Sequence, residues 1–184
     1  MAAVNEMMVE RARIFATAAH AATGQTRKYT GKPYIEHPKA VVALLRSVVG
    51  KYDSEMLAAA WLHDVVEDTE VSLSLIEHEF GIYVSVIVDG LTDVSRPEDG
   101  SRTARKQIDL LHTSHALPTA KTIKLADIID NVSNVVERDP QFAKVYVPEK
   151  ANLLSVLSDG NRELYDLACD KLKTAMYAIN NLTE

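Results

Sequence analysis

The sequence predicts an all-α bundle, and three observations support this prediction. Glycine and proline together account for 13 of 184 residues, or about 7%, whereas these two residues make up roughly 12% of an average protein. Apolar residues recur at three- and four-residue spacings over most of the chain, and no segment alternates convincingly as a half-buried strand would. The connections between the helical patterns are short, which is typical of helices that pack side by side.

Helical patterns cover most of the chain. They lie at residues 4–22, 37–50, 53–68, 72–80, 82–94, 102–115, 118–136, 141–158 and 161–181. The stretch 82–94 is rich in β-branched residues, but its length and flanks favour a buried helix over a strand. Residues 95–101, SRPEDGS, form the clearest loop because they are polar and contain both proline and glycine.

Several helix ends carry recognisable capping residues. Asp53 or Ser54 is the predicted N-cap of the third helix. Ser74 and Glu77 have the spacing of a capping box in the next helix. Gly50 is the predicted C′ residue of the second helix, where glycine is favoured because it tolerates left-handed backbone.

Size and composition limit the classes of function. A chain of 184 residues fits one domain, and residues 1–184 are predicted to form it. The formal charge of −6 argues against a general nucleic-acid binder, which is usually basic. No apolar run approaches the ~20 residues that span a bilayer, and the N-terminus lacks a secretory pattern, so we expect a cytoplasmic protein. The single cysteine, Cys169, allows neither an intramolecular disulfide nor a cysteine-based zinc site.

A cluster of ionisable residues follows the apolar run at 58–62. His63 and Asp64 come directly after this run, and Glu67 and Asp68 follow within one helical turn. In one continuous helix, these spacings would place all four side chains on one broad flank. Three carboxylates at that density repel one another, and a divalent cation is the simplest way to stabilise them.

Two further residues have the chemistry of metal ligands. His37 lies at a loop-to-helix junction in PYIEHP, and Asp127 follows an apolar stretch in IKLADIID. A pair of imidazoles with carboxylates suits Mn²⁺, Fe²⁺ or Zn²⁺, whereas Ca²⁺ prefers oxygen ligands. The set of His, His-Asp and Asp is far more specific than any of its members.

A basic loop precedes His37. Residues 23–34 read TGQTRKYTGKPY, with two glycines and a proline that break the helical pattern. Arg27 and Lys28 lie in this loop, close in sequence to the predicted ligand. A phosphorylated ligand needs such a local basic patch, or a metal, because the chain as a whole is acidic.

At these residues the chain resembles the HD superfamily of metal-dependent phosphohydrolases. More narrowly, it is similar to the hydrolase domain of RelA/SpoT-type alarmone enzymes and to the small alarmone hydrolases. The resemblance runs from about residue 10 to about residue 175, and its matching segments are 18–38, 58–69, 123–131 and 160–164. It implies a single all-helical domain of about eight to ten helices.

The resemblance also assigns roles to individual residues. The implied metal ligands are His37, His63, Asp64 and Asp127. Glu67 and Asp68 match the acidic pair that positions the nucleophilic water. The implied substrate contacts are Arg27, Lys28, Asn131 and, less closely, Tyr146. His20 also matches a histidine of the family, although its helical pattern favours a packed or capping role.

Three positions depart from the family pattern. Many relatives carry basic residues where this chain has Ile128 and Ser133, and some small hydrolases carry arginine where it has Phe142. These departures concern phosphate recognition and leave the metal site intact.

The activity that the resemblance implies is Mn²⁺-dependent hydrolysis of the 3′-diphosphate of ppGpp or pppGpp. One ion is expected, with Fe²⁺ or Zn²⁺ as alternatives, and the products are GDP or GTP and pyrophosphate. Removal of the 2′-phosphate of NADPH, or hydrolysis of another nucleotide, is an alternative that the sequence leaves open. A non-enzymatic alarmone sensor is a second alternative, but it predicts a broken ligand set, and all the ligand and acidic positions are present. The sequence predicts no oligomeric state.

Overall fold

The all-α prediction is confirmed by the computed structural model, which describes residues 5–48 and 53–181. Within these ranges the backbone forms ten α-helical segments and two 3₁₀ turns, and its one β contact is an isolated bridge between Thr26 and Pro33. The helices are α1 (Glu6–Ala22), α2 (Glu36–Val48), α3 (Ser54–Leu62), α4 (Val65–Asp68), α5 (Leu73–Phe80), α6 (Ile82–Asp89), α7 (Arg102–Ser114), α8 (Pro118–Arg138), α9 (Pro140–Leu153) and α10 (Arg162–Asn181). The 3₁₀ turns are Pro97–Asp99 and Leu154–Val156.

The helices group into two compact units, one ending at Asp93 and the other beginning at Val94. Helices α1–α6 belong to the first unit and α7–α10 to the second. That residues 1–184 act as a single domain stays a prediction. No helix in the described part of the chain is both long enough and apolar enough to cross a bilayer.

Helix α3 lies at the centre of the first unit. Every residue from Met56 to Leu62 is buried, and α1, α2 and α6 pack against the helix. The three consecutive alanines at 58–60 are fully buried, and their small side chains let the neighbouring helices come close. Helix α1 presents one face to this core through residues spaced by three or four positions, namely Val9, Ala12, Ala16 and His20.

Helix α3 begins at one of its two predicted caps. The Asp53 carboxylate accepts a hydrogen bond from the backbone N–H of Met56 at 2.6 Å. This bond satisfies one of the amides that every helix leaves unpaired in its first turn. The Asp53 alternative is therefore confirmed.

The prediction of one continuous helix over 53–68 is wrong, because the helix is interrupted at His63 and Asp64. Asp64 has φ −102° and ψ −3°, well away from the helical values of about −63° and −42°. The Nδ1–H of His63 donates to the carbonyl of Ala60 at 2.8 Å. A side chain therefore supplies a partner to one of the last carbonyls of α3, where the backbone turns away.

Two other predicted boundaries also need correction. Helix α5 begins at Leu73, and the hydroxyl of Ser72 accepts from the N–H of Leu75 at 3.3 Å. The predicted capping box at Ser74 and Glu77 is therefore wrong, since an earlier start places Ser74 inside the helix. Val4 and Gly50, predicted near helix ends, lie outside the described residues.

The predicted helix over 141–158 ends earlier than its pattern suggested. Helix α9 stops at Leu153 and continues as the 3₁₀ turn Leu154–Val156. The N–H of Leu157 donates to the carbonyl of Leu154 at 3.1 Å, which is the tighter three-residue bond typical of helix termini. The helical interpretation of 82–94 is confirmed for its first part, which forms α6.

Helix α8 is the core element of the second unit. Residues 120–129 are all buried, and α9 and α10 pack against this helix. Gly160 lies against it so closely that a Cβ atom would fall 3.0 Å from Leu125 Cδ1 and 3.1 Å from the backbone nitrogen of Thr122. The Thr122 hydroxyl also accepts from the N–H of Asn161 at 2.9 Å. Glycine is therefore required here by the close approach of two backbones.

Candidate metal centre

Three side chains of the first unit bring ligand atoms together. Nε2 of His37 and Nε2 of His63 are 3.2 Å apart. Oδ2 of Asp64 lies 3.0 Å from Nε2 of His63 and 3.5 Å from Nε2 of His37. Both imidazoles are 1% exposed, so bulk water does not screen the electrostatic interactions of these two rings.

These separations fit a shared metal ion. Two atoms that each lie about 2.1 Å from one ion are themselves about 3.0–3.4 Å apart in octahedral or tetrahedral geometry. The three measured distances of 3.0, 3.2 and 3.5 Å fall at or near this range. Two imidazole nitrogens and one carboxylate oxygen form the donor set of a divalent transition metal rather than of Ca²⁺.

The orientation of His63 suits metal binding. Its Nδ1 lies 2.8 Å from the carbonyl of Ala60, and a carbonyl can only accept, so Nδ1 carries the proton. The neutral ring then presents the lone pair of Nε2 toward His37 and Asp64. Such a backbone partner for the second ring nitrogen is usual for histidine ligands, because it fixes both the tautomer and the ring orientation.

Asp64 is held as an anion by its neighbours. Burial by itself would raise the pKa of this carboxyl, but the imidazoles of His63 and His37, whenever they are protonated in the absence of a metal, and the hydrogen bond from Tyr34 together lower it well below its usual range. The Tyr34 hydroxyl donates to Oδ2 of Asp64 at 2.6 Å. The oxygen of Asp64 that faces the two imidazoles therefore also accepts a hydrogen bond from Tyr34.

His37 enters the cluster from the first turn of α2. The chain reaches it through a tight turn, in which the N–H of His37 donates to the carbonyl of Tyr34 at 2.9 Å. Pro38 follows, and its missing N–H is harmless in the first turn of a helix. The ring of Tyr34 packs against that of His37 with centroids 5.8 Å apart, so one residue contacts one ligand and hydrogen-bonds another.

The two acidic residues Glu67 and Asp68 lie on the single turn α4, and both are exposed. Oε2 of Glu67 accepts from the N–H of Asp93 at 3.1 Å. Oδ2 of Asp68 accepts from Nε2 of Gln25 at 2.9 Å. Each carboxylate is thus oriented by a donor from elsewhere in the first unit.

The fourth predicted ligand, Asp127, belongs to the second unit. It is 5% exposed on α8, and Nδ2 of Asn131 donates to its Oδ1 at 2.5 Å. These residues are one helical turn apart, so the bond follows directly from the four-residue spacing. The structure therefore unites three of the four predicted ligands in one cluster, and the ligand role of Asp127 stays a prediction.

The basic loop is a closed turn. The N–H of Arg27 donates to the carbonyl of Lys32 at 2.8 Å, and that of Gly31 donates to the carbonyl of Arg27 at 2.9 Å. Gly31 has φ +66°, a left-handed conformation that other residues rarely adopt. Nζ of Lys28 lies 5.0 Å from the ring centroid of Tyr29. The loop thus holds two cations in a fixed turn shortly before His37.

Tyr146, another of the predicted substrate contacts, is half-buried on α9. Its ring lies 5.5 Å from that of Phe142, and Nζ of Lys150 lies 5.1 Å from its ring centroid. The guanidinium of Arg102 lies 5.7 Å from the Phe142 ring and pairs with Glu149 at 2.7 Å. The contact of Tyr146 with a substrate stays a prediction.

Two residues beside the cluster were not predicted from the sequence, namely Gln25 and Tyr34. Both lie in a loop, where no periodicity reports on side-chain direction. Their placement depends on the pairing of the two ends of the loop, in which the N–H of Tyr34 donates to the carbonyl of Gln25 at 3.2 Å. The three-residue spacing from Tyr34 to His37 is a weak signal that could have suggested a shared turn.

The all-helical fold and the His, His-Asp cluster agree with a comparison against protein families. The family described as "HD domain" matches residues 12–158, and the chain belongs to this family. An HD domain implies a divalent metal, and His37, His63 and Asp64 lie close enough to bind one. The resemblance noted from the sequence is therefore confirmed.

Two relatives point to a more specific group within this family. The human protein named "Guanosine-3′,5′-bis(diphosphate) 3′-pyrophosphohydrolase MESH1" is 33% identical over 139 residues, which are 73% of this chain and 76% of that protein. A Synechocystis protein named "Probable guanosine-3′,5′-bis(diphosphate) 3′-pyrophosphohydrolase" is 34% identical over 155 residues, which are 83% of this chain. The match spans only 20% of the Synechocystis protein.

A solved structure agrees with these relatives. It belongs to a metazoan ortholog of SpoT that is described as hydrolyzing ppGpp and playing a role in starvation responses. The two structures superpose with a TM-score of 0.81 at 26% sequence identity, over 94% of this chain and 98% of the other. The likeness therefore extends over nearly all of both folds.

Proposed function

We propose that this protein is a Mn²⁺-dependent hydrolase that removes the 3′-diphosphate of ppGpp and pppGpp. The observation that carries the proposal is the cluster of His37, His63 and Asp64 at the spacing of a shared ion, with two exposed carboxylates one turn away. The human and metazoan relatives, which are named for this activity, support it. The products are GDP or GTP and pyrophosphate.

The first part of the proposal concerns the metal. His37, His63 and Asp64 would hold it, and Asp127 is proposed as the fourth protein ligand. When bound, the ion supplies a Lewis acid that polarises a phosphoryl oxygen and lowers the pKa of a water toward neutrality. Mn²⁺ is proposed because two imidazoles with carboxylates suit it, and Fe²⁺ or Zn²⁺ has the same ligand preference.

The second part concerns proton transfer. In the reaction, the oxygen of a water bonds to the phosphorus next to the ribose, and the bond from that phosphorus to the 3′ oxygen breaks. Glu67 or Asp68 orients the water and accepts its proton, since both carboxylates are exposed and each accepts an orienting hydrogen bond. The 3′ oxygen takes up a proton from solvent and leaves as the hydroxyl of GDP or GTP, and the carboxylate then returns its proton to solvent.

The third part concerns the substrate. The fixed turn that carries Arg27 and Lys28 places two cations shortly before His37, and these are proposed to neutralise the diphosphate. Arginine can also stack on a purine through its planar guanidinium, which lysine cannot do. Asn131 and Tyr146 are proposed as further substrate contacts from the second unit. We also propose that residues 1–184 act as one domain in the cytoplasm.

One assay tests the proposed function. The purified protein is incubated with ppGpp, and separately with NADPH, in the presence and absence of Mn²⁺. We expect Mn²⁺-dependent release of pyrophosphate from ppGpp. Release of phosphate from NADPH alone would replace the proposed substrate, and the absence of any product from a Mn²⁺-loaded protein would support the non-enzymatic sensor.

Arg27→Lys and Arg27→Ala separate the two roles of the basic loop. If Arg27 stacks on the base, lysine fails to replace it and both variants raise KM for ppGpp. If it serves as a counter-charge, lysine restores most of the loss. Wild-type kcat/KM in Arg27→Ala would remove this residue from the site.

A further inference from the structure

A buried histidine beside the metal cluster takes no part in the proposed mechanism. His20 lies on the inner face of α1 and is 1% exposed. Its Nδ1 is 2.6 Å from Oε1 of Gln25, whereas its Nε2 is buried without a hydrogen-bond partner among the described residues. The tilted ring of Tyr34 packs against it with centroids 4.7 Å apart.

The amide of Gln25 connects this histidine to an acidic residue of the site. Nε2 of Gln25 donates to Oδ2 of Asp68 at 2.9 Å. An ionised carboxylate can only accept hydrogen bonds, so the amide must present its nitrogen to Asp68 and its oxygen to His20. The ring nitrogen that faces this oxygen must then carry the proton, and the orientation of all three groups is mutually determined.

The backbone of Gln25 is fixed as well. Its N–H donates to the carbonyl of His20 at 3.1 Å, and its carbonyl accepts from the N–H of Tyr34 at 3.2 Å. Gln25 is therefore held by hydrogen bonds of both its backbone and its side chain. A residue held in this way can keep the Asp68 carboxylate in one orientation, although Asp68 itself is exposed.

A packing role does not account for a histidine at position 20. A buried polar atom without a partner is unfavourable, and Nε2 of His20 is such an atom. A phenylalanine would fill a similar volume without leaving any polar atom unpaired, but it could not donate to Gln25. Burial lowers the pKa of the His20 imidazole, which keeps the ring neutral, with its one proton available for the bond to Gln25.

We infer that His20 is a positioning residue, which fixes the carboxylate of Asp68 through the amide of Gln25. The inference rests on the proposed function, in which Asp68 handles the attacking water. In this role His20 contacts neither the substrate nor the metal. Its role is to limit the orientations of Asp68 so that the carboxylate meets the water in a productive geometry.

A double-mutant cycle tests the inference. His20→Phe and Gln25→Met each remove one link while keeping the approximate volume. At saturating Mn²⁺ we expect each to lower kcat by about 10- to 100-fold, with KM and the Kd for Mn²⁺ changed by less than about twofold. The double variant should be no slower than the slower single variant, because the links act in series.

Two further variants distinguish positioning from structure. His20→Asn keeps an N–H near the position of Nδ1, so it should recover part of the lost kcat, which a packing role would not predict. His78→Phe alters an exposed histidine of the same unit and should leave kcat unchanged. Should His20→Phe fail to fold, Gln25→Met and His20→Asn still measure the effect on kcat.

A readout without substrate separates this inference from the proposed function. The ¹⁵N spectrum of the His20 ring should show the Nδ1–H tautomer in the wild-type protein and a changed tautomer balance in Gln25→Met. A wild-type Nε2–H tautomer, unchanged kcat in Gln25→Met, or additive losses in the double variant would overturn the inference. Failure of the wild-type protein to hydrolyse ppGpp would instead reject the proposed function and leave the tautomer result to stand by itself.

Discussion

In helices α3 and α8, an apolar run precedes a predicted metal ligand, but the backbone at the ligand differs between the two. Helix α3 ends just before His63, and the backbone turns at Asp64, whereas α8 continues through Asp127 to Arg138. Adjacent residues of a continuous helix point about 100° apart and do not face each other. The interruption therefore allows His63 and Asp64 to bring their ligand atoms within 3.0 Å.

The supporting partners of the two carboxylates differ in the same way. Asp127 receives its bond from Asn131, four residues further along its own helix. Asp64 receives its bond from Tyr34, thirty positions earlier in the sequence. Asp127 is therefore supported from within its own helix, whereas Asp64 is supported from a different part of the fold.

Removing either carboxylate should have the largest effect. Asp64→Ala breaks the cluster of the first unit, and Asp127→Ala tests whether α8 supplies a ligand as well. We expect both purified variants to lose bound Mn²⁺ and turnover together, measured by metal analysis and pyrophosphate release. Asp130→Ala, on the same helix as Asp127, is the matched control and should keep its metal.

Retention of stoichiometric Mn²⁺ by Asp127→Ala, with loss only in Asp64→Ala, would contradict the four-ligand set. It would confine the metal site to His37, His63 and Asp64. If both variants retained stoichiometric Mn²⁺, neither Asp64 nor Asp127 would be a metal ligand.

Glu67→Gln should have the next largest effect, because it keeps the size of the side chain and removes its basicity. We expect kcat to fall by about 100-fold, near the low end for loss of a general base. Metal content and KM should remain close to the wild-type values, since Glu67 is proposed to act on water rather than to hold the ion. An unchanged kcat would assign the base role to Asp68.

Tyr34→Phe tests the remote support of Asp64 with a smaller change. The variant keeps the ring that packs against His20 and His37 and removes the hydroxyl that donates to Asp64. We expect the affinity for Mn²⁺, measured by titration calorimetry, to fall by about tenfold. Tyr29→Phe makes the same chemical change in the same loop and should bind Mn²⁺ normally, so equal losses in the two variants would contradict this role.

Asp53→Ala should have the smallest effect, and this effect should be on stability rather than on activity. Loss of its 2.6 Å cap bond should lower the free energy of unfolding by about 1 kcal/mol. The corresponding fall in Tm, measured by calorimetry, is about 2–4 °C for a protein of this size. Ser72→Ala removes a longer and exposed cap bond of 3.3 Å and should cost less, so the reverse order would show that cap geometry does not govern these helices.

The helical pattern and the ligand candidates could be read from the sequence because they depend on local chemistry. Periodicity locates α8 and α10, and the unusual charges after an apolar run single out His63 and Asp64. The interruption of the third helix could not be predicted, since the acidic residues that follow keep helical spacing. The interruption is accompanied by a side-chain bond from His63 to the carbonyl of Ala60, which the residue spacing does not indicate.

The contributions of Gln25 and Tyr34 were also beyond sequence reasoning. Their side chains meet Asp68 and Asp64 across separations of 43 and 30 positions. Only the folded loop decides which of its polar residues turn toward the site. Ser72 and Ser74 illustrate a smaller ambiguity, because two serines within three positions can both serve as a cap.

The brevity of α4 has a consequence for thermal behaviour. A helix of four residues cannot hold itself together in water, because nucleation is unfavourable and one turn gains few bonds. Its order therefore depends on outside partners, among them the N–H of Asp93 and the amide of Gln25. On gradual heating, α4 should open by local fluctuation before the cores around α3 and α8 melt, so turnover should decline at temperatures where the far-ultraviolet circular dichroism is still that of the native protein.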